Sequence, residues 1–301
     1  MTDAADSPGF ALSVVVPCFN ERGAAARVLD EIDRALRDSG MPYEIIAVDD
    51  GSTDGTAQTI DESRFRLLRH PANRGYGAAL KTGARAARFG LLAIIDADGT
   101  YPSARLAEFA RMAQSCDMAV GARMGKSARI PWIRRPAKWI ISRLADYLSG
   151  RRIPDLNSGM RVVRRELWER FESYFPDGFS LTTTITLAAL TNGYDVRYEP
   201  IEYARRVGRS KIRPIRDTLN FVQLILRTVL YFDPLKVFVP LSLALFAAAA
   251  GLSVFSIVRA VFFEGRVLDA SIFIFFTGGC QTLAIGALAD LIVKRRAEKG
   301  T

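Results

Sequence analysis

GLLAIIDADGT, residues 90–100, is an apolar run that ends abruptly in two carboxylates and a glycine. A short continuous apolar segment bounded by turn residues reads as a strand buried on both faces, as in a parallel sheet. Asp96 and Asp98 then stand where the strand leaves the sheet. Two carboxylates converging there repel each other, so a cation is their natural partner. Oxygen ligands favour Mg²⁺ or Mn²⁺, with a diphosphate completing the shell. The competing reading is a solvated turn.

The same pattern repeats around this stretch from Ala11 to Gly121. LSVVVP is followed by a helix near Arg22 to Ser39, EIIAVD by a helix near Thr56 to Glu62, and FRLLR by a helix near Tyr76 to Phe89. After GLLAIID come a helix near Ser103 to Gln114 and DMAVGAR. Such a βαβ series predicts an α/β fold with a doubly wound, mostly parallel sheet. Ligands of these sheets bind beyond the carboxyl ends of the strands. Those ends carry Asn20 and Glu21, Asp49 and Asp50, and Asp96 and Asp98.

The first strand runs into PCFNE (residues 17–21) rather than GxGxxG, so the phosphate loop of a dinucleotide-binding fold is missing. DDGSTDGT (residues 49–56) puts carboxylates at the second strand end, where they can accept hydrogen bonds from a ribose or from base N–H groups. Thr53 or Asp54 also suits a helix cap. NRGYG (residues 73–77) opens a helix, and its glycines permit close backbone approach to a ligand.

Composition narrows the class. The chain is 49% hydrophobic with a net charge of +9, yet the apolar residues concentrate after residue 234 and the basic clusters flank that region. This layout suggests a membrane and no nucleic-acid partner. Cys18, Cys116 and Cys280 are too far apart for a thiolate zinc site or a disulfide framework, which suits a reducing compartment. His70, the single histidine, is expected in a surface or strand-end role, so histidine triads are set aside. The first ten residues form no signal peptide and are expected to be disordered, ahead of a catalytic domain over residues 11–212 that starts in the cytosol.

Residues 131–150 mix Trp132, Trp139 and aliphatic residues with Arg134, Arg135, Lys138 and Arg143. They read either as an interfacial amphipathic helix or as a surface helix packed on the sheet. A second amphipathic stretch, residues 213–234, follows a basic run that includes Arg205, Arg206, Arg209 and Lys211. Residues 235–301 form the anchor, with spans near 236–258 and 271–293. Basic residues on both flanks place both chain ends in the cytoplasm, so the chain is expected as a multi-pass protein of the cell inner membrane or its equivalent. Asp290 lies near enough to the cytoplasmic end to reach the interface or to pair with Lys294.

The ordered set PCFNE, DDGSTDGT, NRGYGAA and DADGTYP resembles the inverting GT-A glycosyltransferases of the dolichol-phosphate mannose synthase branch. Gly121-Ala122-Arg123, Asp155 to Arg161 (DLNSGMR) and Gly208 to Lys211 (GRSK) extend the resemblance over residues 11–216. The paired closing spans match bacterial polyprenyl-phosphate glycosyltransferases. The resemblance implies that Pro17, Asn20, Glu21, Asp49 and Asp50 hold the nucleoside of a nucleoside-diphosphate sugar, with Asp96 and Asp98 flanking the metal and sugar. It implies a phosphate clamp at Arg209, Ser210 and Lys211, acceptor binding at Arg123, and an orienting role toward sugar or basic residues for Asp155, with Asn157 and Ser158 beside it. Thr100 departs from the glutamine often found two residues past the second Asp, so water or diphosphate is expected to fill that metal position.

The implied reaction transfers a sugar, with inversion, to a polyprenyl phosphate among the membrane lipids. The product is a polyprenyl-phosphate-linked monosaccharide for cell-envelope glycan or glycoconjugate modification, and a homo-oligomer of open size is implied. A phosphate acceptor is already largely anionic at neutral pH, so no strong base is required. Two other readings are a processive polysaccharide synthase, which normally needs more spans and an acceptor-site tryptophan motif, and a non-catalytic nucleotide-sugar-binding scaffold of the membrane.

Overall fold

The computed structural model describes residues 11–123, 143, 145–147, 149–178, 180–204, 223, 227, 230–263 and 269–299. The chain divides into two compact units, with the boundary between Ile225 and Leu226. The N-terminal ten residues, Trp132, Trp139, the basic run 205–216 with Arg209, Ser210 and Lys211, and most of the two amphipathic stretches lie outside the described residues.

The first unit is a seven-stranded sheet in the order β3-β2-β1-β4-β6-β5-β7. Its strands are β1 (Leu12–Cys18), β2 (Tyr43–Asp49), β3 (Arg66–Arg69), β4 (Leu91–Ile94), β5 (Met118–Arg123), β6 (Arg161–Arg164) and β7 (Val196–Ile201). The β1–β2, β2–β3, β1–β4 and β5–β7 pairs are parallel, and β6 is antiparallel to both of its neighbours. The expected mostly parallel sheet is present, with one strand reversed near its middle.

Alternation along the strands assigns the two faces. Leu12, Val14 and Val16 of β1, Ile45 and Ala47 of β2, and Leu91 and Ala93 of β4 join one core with helices α1 (Ala25–Ser39) and α3 (Leu106–Met112). Val15 and Val48 on the other face meet α2 (Tyr76–Ala86), where Gly83 fits so closely that a Cβ would overlap Val15 Cγ1 and stand 3.2 Å from Val48 Cγ2. Each fully buried aliphatic side chain in these layers contributes about 1.5–3 kcal/mol of transfer free energy. Asp96, two residues beyond Ile94, continues the α2 face.

Helix ends follow local chemistry. Gly40 in the left-handed region (φ 69°) closes α1, and extended Ala87 (ψ 147°) stops α2 short of the expected Phe89. The helix expected near Thr56 to Glu62 is only a 3₁₀ turn, Ala57–Thr59. Ile60 is extended, and the Asp61 carboxylate accepts from both N–H and hydroxyl of Ser63, so the side chain competes with helical bonding there. Between Ser103 and Gln114 a 3₁₀ turn precedes α3, and α4 (Arg165–Phe171) follows β6.

Helix α5 (Leu181–Thr191), LTTTITLAALT, is buried on nearly every side despite its β-branched residues. Thr184, Thr186 and Thr191 satisfy their hydroxyls by donating to the carbonyl four residues earlier. Arg161 of β6 lies wholly buried against this helix. Its guanidinium donates to Ser158 O twice (3.2 and 2.6 Å), to Thr182 O (3.0 Å) and to Thr186 Oγ1 (3.0 Å). Burial pushes its pKa down.

The second unit holds α6 (Leu235–Phe263) and α7 (Asp269–Lys299). Leu235–Phe262 and Ala270–Arg295 are long and apolar enough to cross a membrane, with mean hydropathy 2.2 and 1.7 over their most apolar stretches. Val261, Phe262, Phe273 and Ile274 point outward, as lipid-facing side chains would. Asp290 pairs with Lys294 at 2.7 Å, as expected from their spacing.

Arg161→Met keeps the bulk but leaves the Ser158 carbonyl without its guanidinium donors and removes the bonds to Thr182 O and Thr186 Oγ1. It should destabilise the first unit by about 2 kcal/mol. That is a fall of about 4–8 °C in the melting temperature of the full-length protein, read by differential scanning fluorimetry.

Candidate active site

Strands β1, β2 and β4 run parallel, so the loops leaving their carboxyl ends gather at one edge of the sheet. The first two loops are tied to each other by four bonds that each join a backbone N–H to a side-chain oxygen. Ser52 Oγ accepts from Asn20 N–H (3.0 Å), Asn20 Oδ1 accepts from Thr53 N–H (2.9 Å), Thr56 Oγ1 accepts from Glu21 N–H (2.9 Å), and Asp54 Oδ2 accepts from Arg22 N–H (3.1 Å). Asn20 takes a positive φ of 55°, a conformation asparagine tolerates better than most residues. PCFNE and DDGSTDGT thus form one surface, with Pro17 inside β1.

Asp49 and Asp50 end β2 and are both buried. Asp49 Oδ2 accepts a long bond from Ser52 N–H (3.4 Å), whereas its buried Oδ1 has no hydrogen-bond partner among the described residues. Such an acceptor is costly to bury unless a donor reaches it. Asp50 is saturated instead. Its Oδ1 accepts from Arg74 N–H (2.9 Å) and meets His70 Nδ1 (2.6 Å), and its Oδ2 accepts from Gly75 N–H (2.8 Å). His70 stands at a strand end as expected but is buried, with Nε2 2.9 Å from Thr82 Oγ1. The strand-end position is therefore a buried, structural one: the Asp50 carboxylate and the Thr82 hydroxyl take the two ring nitrogens. Gly51 is required here, since at φ 69° a Cβ would stand 2.6 Å from Asn73 N.

Asp96 and Asp98 follow β4 and are both partly buried. Asp96 Oδ1 accepts from the Tyr76 hydroxyl (2.8 Å). Gly159 packs on the same carboxylate so tightly that a Cβ would stand 2.6 Å from Asp96 Cγ. Gly159 N–H in turn donates to Tyr101 Oη (2.7 Å). Asp98 Oδ1 accepts from the hydroxyl (2.6 Å) and N–H (3.1 Å) of Thr100. The buried Thr100 therefore engages Asp98 directly.

Asp155 and Arg123 meet beside this group. The Asp155 carboxylate accepts from Arg123 Nε (2.6 Å), Nη2 (2.8 Å) and backbone N–H (3.1 Å), and from Asn157 N–H (3.1 Å). Burial alone would raise the Asp155 pKa, but the Arg123 guanidinium outweighs it and holds the carboxyl below its ordinary range. Arg123 also lies over the Tyr203 ring at 5.3 Å, and Tyr203 meets Tyr101 edge-on at 5.1 Å. Asn157 Oδ1 accepts from the Thr183 hydroxyl, and Ser158 is buried with its hydroxyl bonded within the turn. Burial pushes the Tyr101 phenol up, with Asp96 adding to the rise and Arg123 opposing it.

The donor set at Asp96 and Asp98 fits a hard divalent cation. No group of three or more His, Cys, Asp or Glu side chains capable of holding a metal occurs among the described residues. Two carboxylates that rely on substrate phosphates and water for the other positions are the usual Mg²⁺ pattern. Sequence reasoning named the carboxylates but missed Tyr76, Tyr101 and Gly159 around them. All three lay inside quoted motifs, Tyr76 in NRGYG, Tyr101 in DADGTYP and Gly159 in DLNSGMR, but only their contacts across the fold reveal that they meet at Asp96.

The glycosyl transferase family 2 model matches residues 13–171, more than half of the chain. The chain belongs to that family. It is 31% identical over 205 residues to a dolichyl-phosphate hexose transferase of Haloferax volcanii, covering 67% of this chain and 87% of that protein. It is 27% identical over 297 residues to an undecaprenyl-phosphate 4-deoxy-4-formamido-L-arabinose transferase of Proteus mirabilis, covering 93% and 88%. Among solved structures, glucosyl-3-phosphoglycerate synthase from Mycobacterium tuberculosis in complex with Mn²⁺, uridine diphosphate and phosphoglyceric acid superposes with TM-score 0.59. The two are 19% identical, over 73% of this chain and 79% of that one, so the likeness establishes the GT-A fold. The chain is thus a family 2 glycosyltransferase.

A depressed carboxyl pKa contributes stability that is full above the unfolded-state value, about 3.9, and is lost as pH falls through the lower folded-state value. Asp155→Asn should therefore lower the melting temperature at pH 7. The gap between wild type and variant should shrink as pH drops below about 4, read by thermal unfolding across pH 2–7.

Proposed function

We propose that this glycosyltransferase moves a sugar from a nucleoside-diphosphate sugar to a polyprenyl phosphate at a membrane surface, with inversion and with Mn²⁺ or Mg²⁺. The observation that carries the reading is that Asp49, Asp96 and Asp98 stand at the carboxyl ends of β2 and β4, the two parallel neighbours of β1: a buried acceptor with no donor among the described residues at one strand end, and a carboxylate pair suited to a cation at the other. The names of the relatives supply the acceptor class, and two helices able to cross a membrane suit an acceptor that lives in one. Both chain ends lie on the cytoplasmic side in this reading, and the product serves cell-envelope glycan or glycoconjugate assembly.

Asp49 Oδ1 accepts from the donor's ribose or base, and the cross-tied loops at Asn20, Glu21 and Ser52 hold the nucleoside in place. Asp50 acts from beneath, through the turn it fixes. Asp96 and Asp98 would hold the divalent ion, whose Lewis acidity neutralises charge on the departing nucleoside diphosphate. Asp155 aims Arg123 by taking two of the five guanidinium N–H groups. The remaining N–H groups serve the acceptor phosphate. An acceptor oxygen forms the new bond to the anomeric carbon as the bond to the diphosphate breaks on the opposite side. No side chain need remove a proton, because the phosphate arrives ionised. Arg209, Ser210 and Lys211 complete a phosphate clamp in this reading.

Full-length protein in detergent with a short polyprenyl phosphate, Mn²⁺ and a panel of nucleotide sugars should yield a lipid-phosphate sugar, detected by mass spectrometry. A chelator should abolish the product, and Asp98→Asn should lower the rate by a factor of about 10²–10³ without lowering the melting temperature. Arg123→Ala should lower the rate by a similar factor and also lower the melting temperature, because it leaves the Asp155 carboxylate without its guanidinium. Absence of product with every donor refutes the reading.

Gly159→Ala forces a methyl group against the Asp96 carboxylate and should cost at least about tenfold in the same assay. Wild-type turnover by this variant would show that Asp96 is not held where transfer requires it.

A further inference from the structure

Tyr76 is the first residue of α2, on the strand-edge side of the sheet, and its hydroxyl donates to Asp96 Oδ1 at 2.8 Å. The start of this helix is fixed from several directions. Asp50 holds the N–H groups of Arg74 and Gly75, and His70 holds Asp50 while also meeting Thr82 further along α2. Asp177 O accepts from Ala78 N–H at 3.1 Å, and the Asp177 carboxylate pairs with Lys81 at 2.5 Å. Residues on three separate segments, at Asp50, His70 and Asp177, therefore determine where the Tyr76 ring enters, and the ring delivers a hydrogen bond to one carboxylate oxygen. A phenol keeps its proton at neutral pH and so can donate this bond.

A carboxylate at the end of a strand can rotate about its Cβ–Cγ bond. A phenol fixed on one oxygen removes that freedom, and partners of this kind set both the geometry and the basicity of a metal-ligating group. We propose that Tyr76 is a positioning residue for the donor's divalent cation: by fixing Asp96 it pre-orients the carboxylate pair, and His70 through Asp50 fixes Tyr76. The proposal rests on Asp96 and Asp98 being the cation-binding pair. It also gives the single histidine, buried against Asp50 and Thr82, a part in setting the start of α2.

The test is direct Mn²⁺ binding, read by electron paramagnetic resonance of the free ion, with the full-length protein in detergent in the presence of UDP and, in parallel, GDP. Wild type, Tyr76→Phe and Asp96→Asn are compared. Tyr76→Phe removes one oxygen atom and should weaken Mn²⁺ binding about tenfold, with the melting temperature unchanged, a separation that a purely structural role would not produce. Asp96→Asn should lose the site. If Tyr76→Phe binds Mn²⁺ as wild type does while Asp96→Asn does not, the role of Tyr76 is refuted and the cation site stands. If Asp96→Asn binds as tightly as wild type, or wild type binds no Mn²⁺ with either nucleotide, the cation-site reading fails and takes this proposal with it.

Discussion

Two carboxylates at the end of a fully buried strand repel each other, and a fold that places them there must hold them still against that repulsion. Much of the first unit answers this requirement. Asp96 is bounded by the Tyr76 hydroxyl and by Gly159, and Asp98 by its own Thr100. The neutral hydroxyls stabilise the charges without cancelling them, so the pair keeps its attraction for a cation. Charge is compensated fully one step away, where Arg123 and Asp155 form a bidentate pair.

The neighbouring loops are built on the same principle, with side-chain oxygens gripping backbone N–H groups in place of regular structure. Asn20, Ser52, Asp54 and Thr56 bind the β1 and β2 loops into one surface, and Asp50 binds the β2 end to the start of α2. Rigid strands deliver these loops to one edge, and short polar bonds fix their shape there. Arg161 supports the far side by tying the 158–160 turn to α5, which sets the backbone that closes on Asp96.

Much of this was legible in the sequence because the parallel strands are continuous apolar runs that end in turn residues, and the period of burial fixes each strand's limits. Three features were not. The four-residue strand β6, RVVR, carries arginine at both ends and has no apolar run to announce it, although Arg161 proves to be a core residue. The segment after Thr56 has helical composition, but Asp61 and Ser63 redirect its bonding. His70 looked like a polar strand end because nothing local reveals that Asp50, twenty residues earlier, and Thr82, twelve later, converge on its two nitrogens. Short-range pattern reports burial well and reports long-range polar partners poorly.

The central claim is that the Asp96–Asp98 pair is the cation and diphosphate site on which donor binding turns. Crystals of the protein soaked with Mn²⁺ and a nucleoside diphosphate test it most directly through anomalous scattering. The account predicts a single Mn²⁺ peak in contact with carboxylate oxygens of Asp96 or Asp98 and with the diphosphate, and the nucleoside beside Asp49. A nucleotide bound elsewhere, or Mn²⁺ seated away from both aspartates, contradicts it.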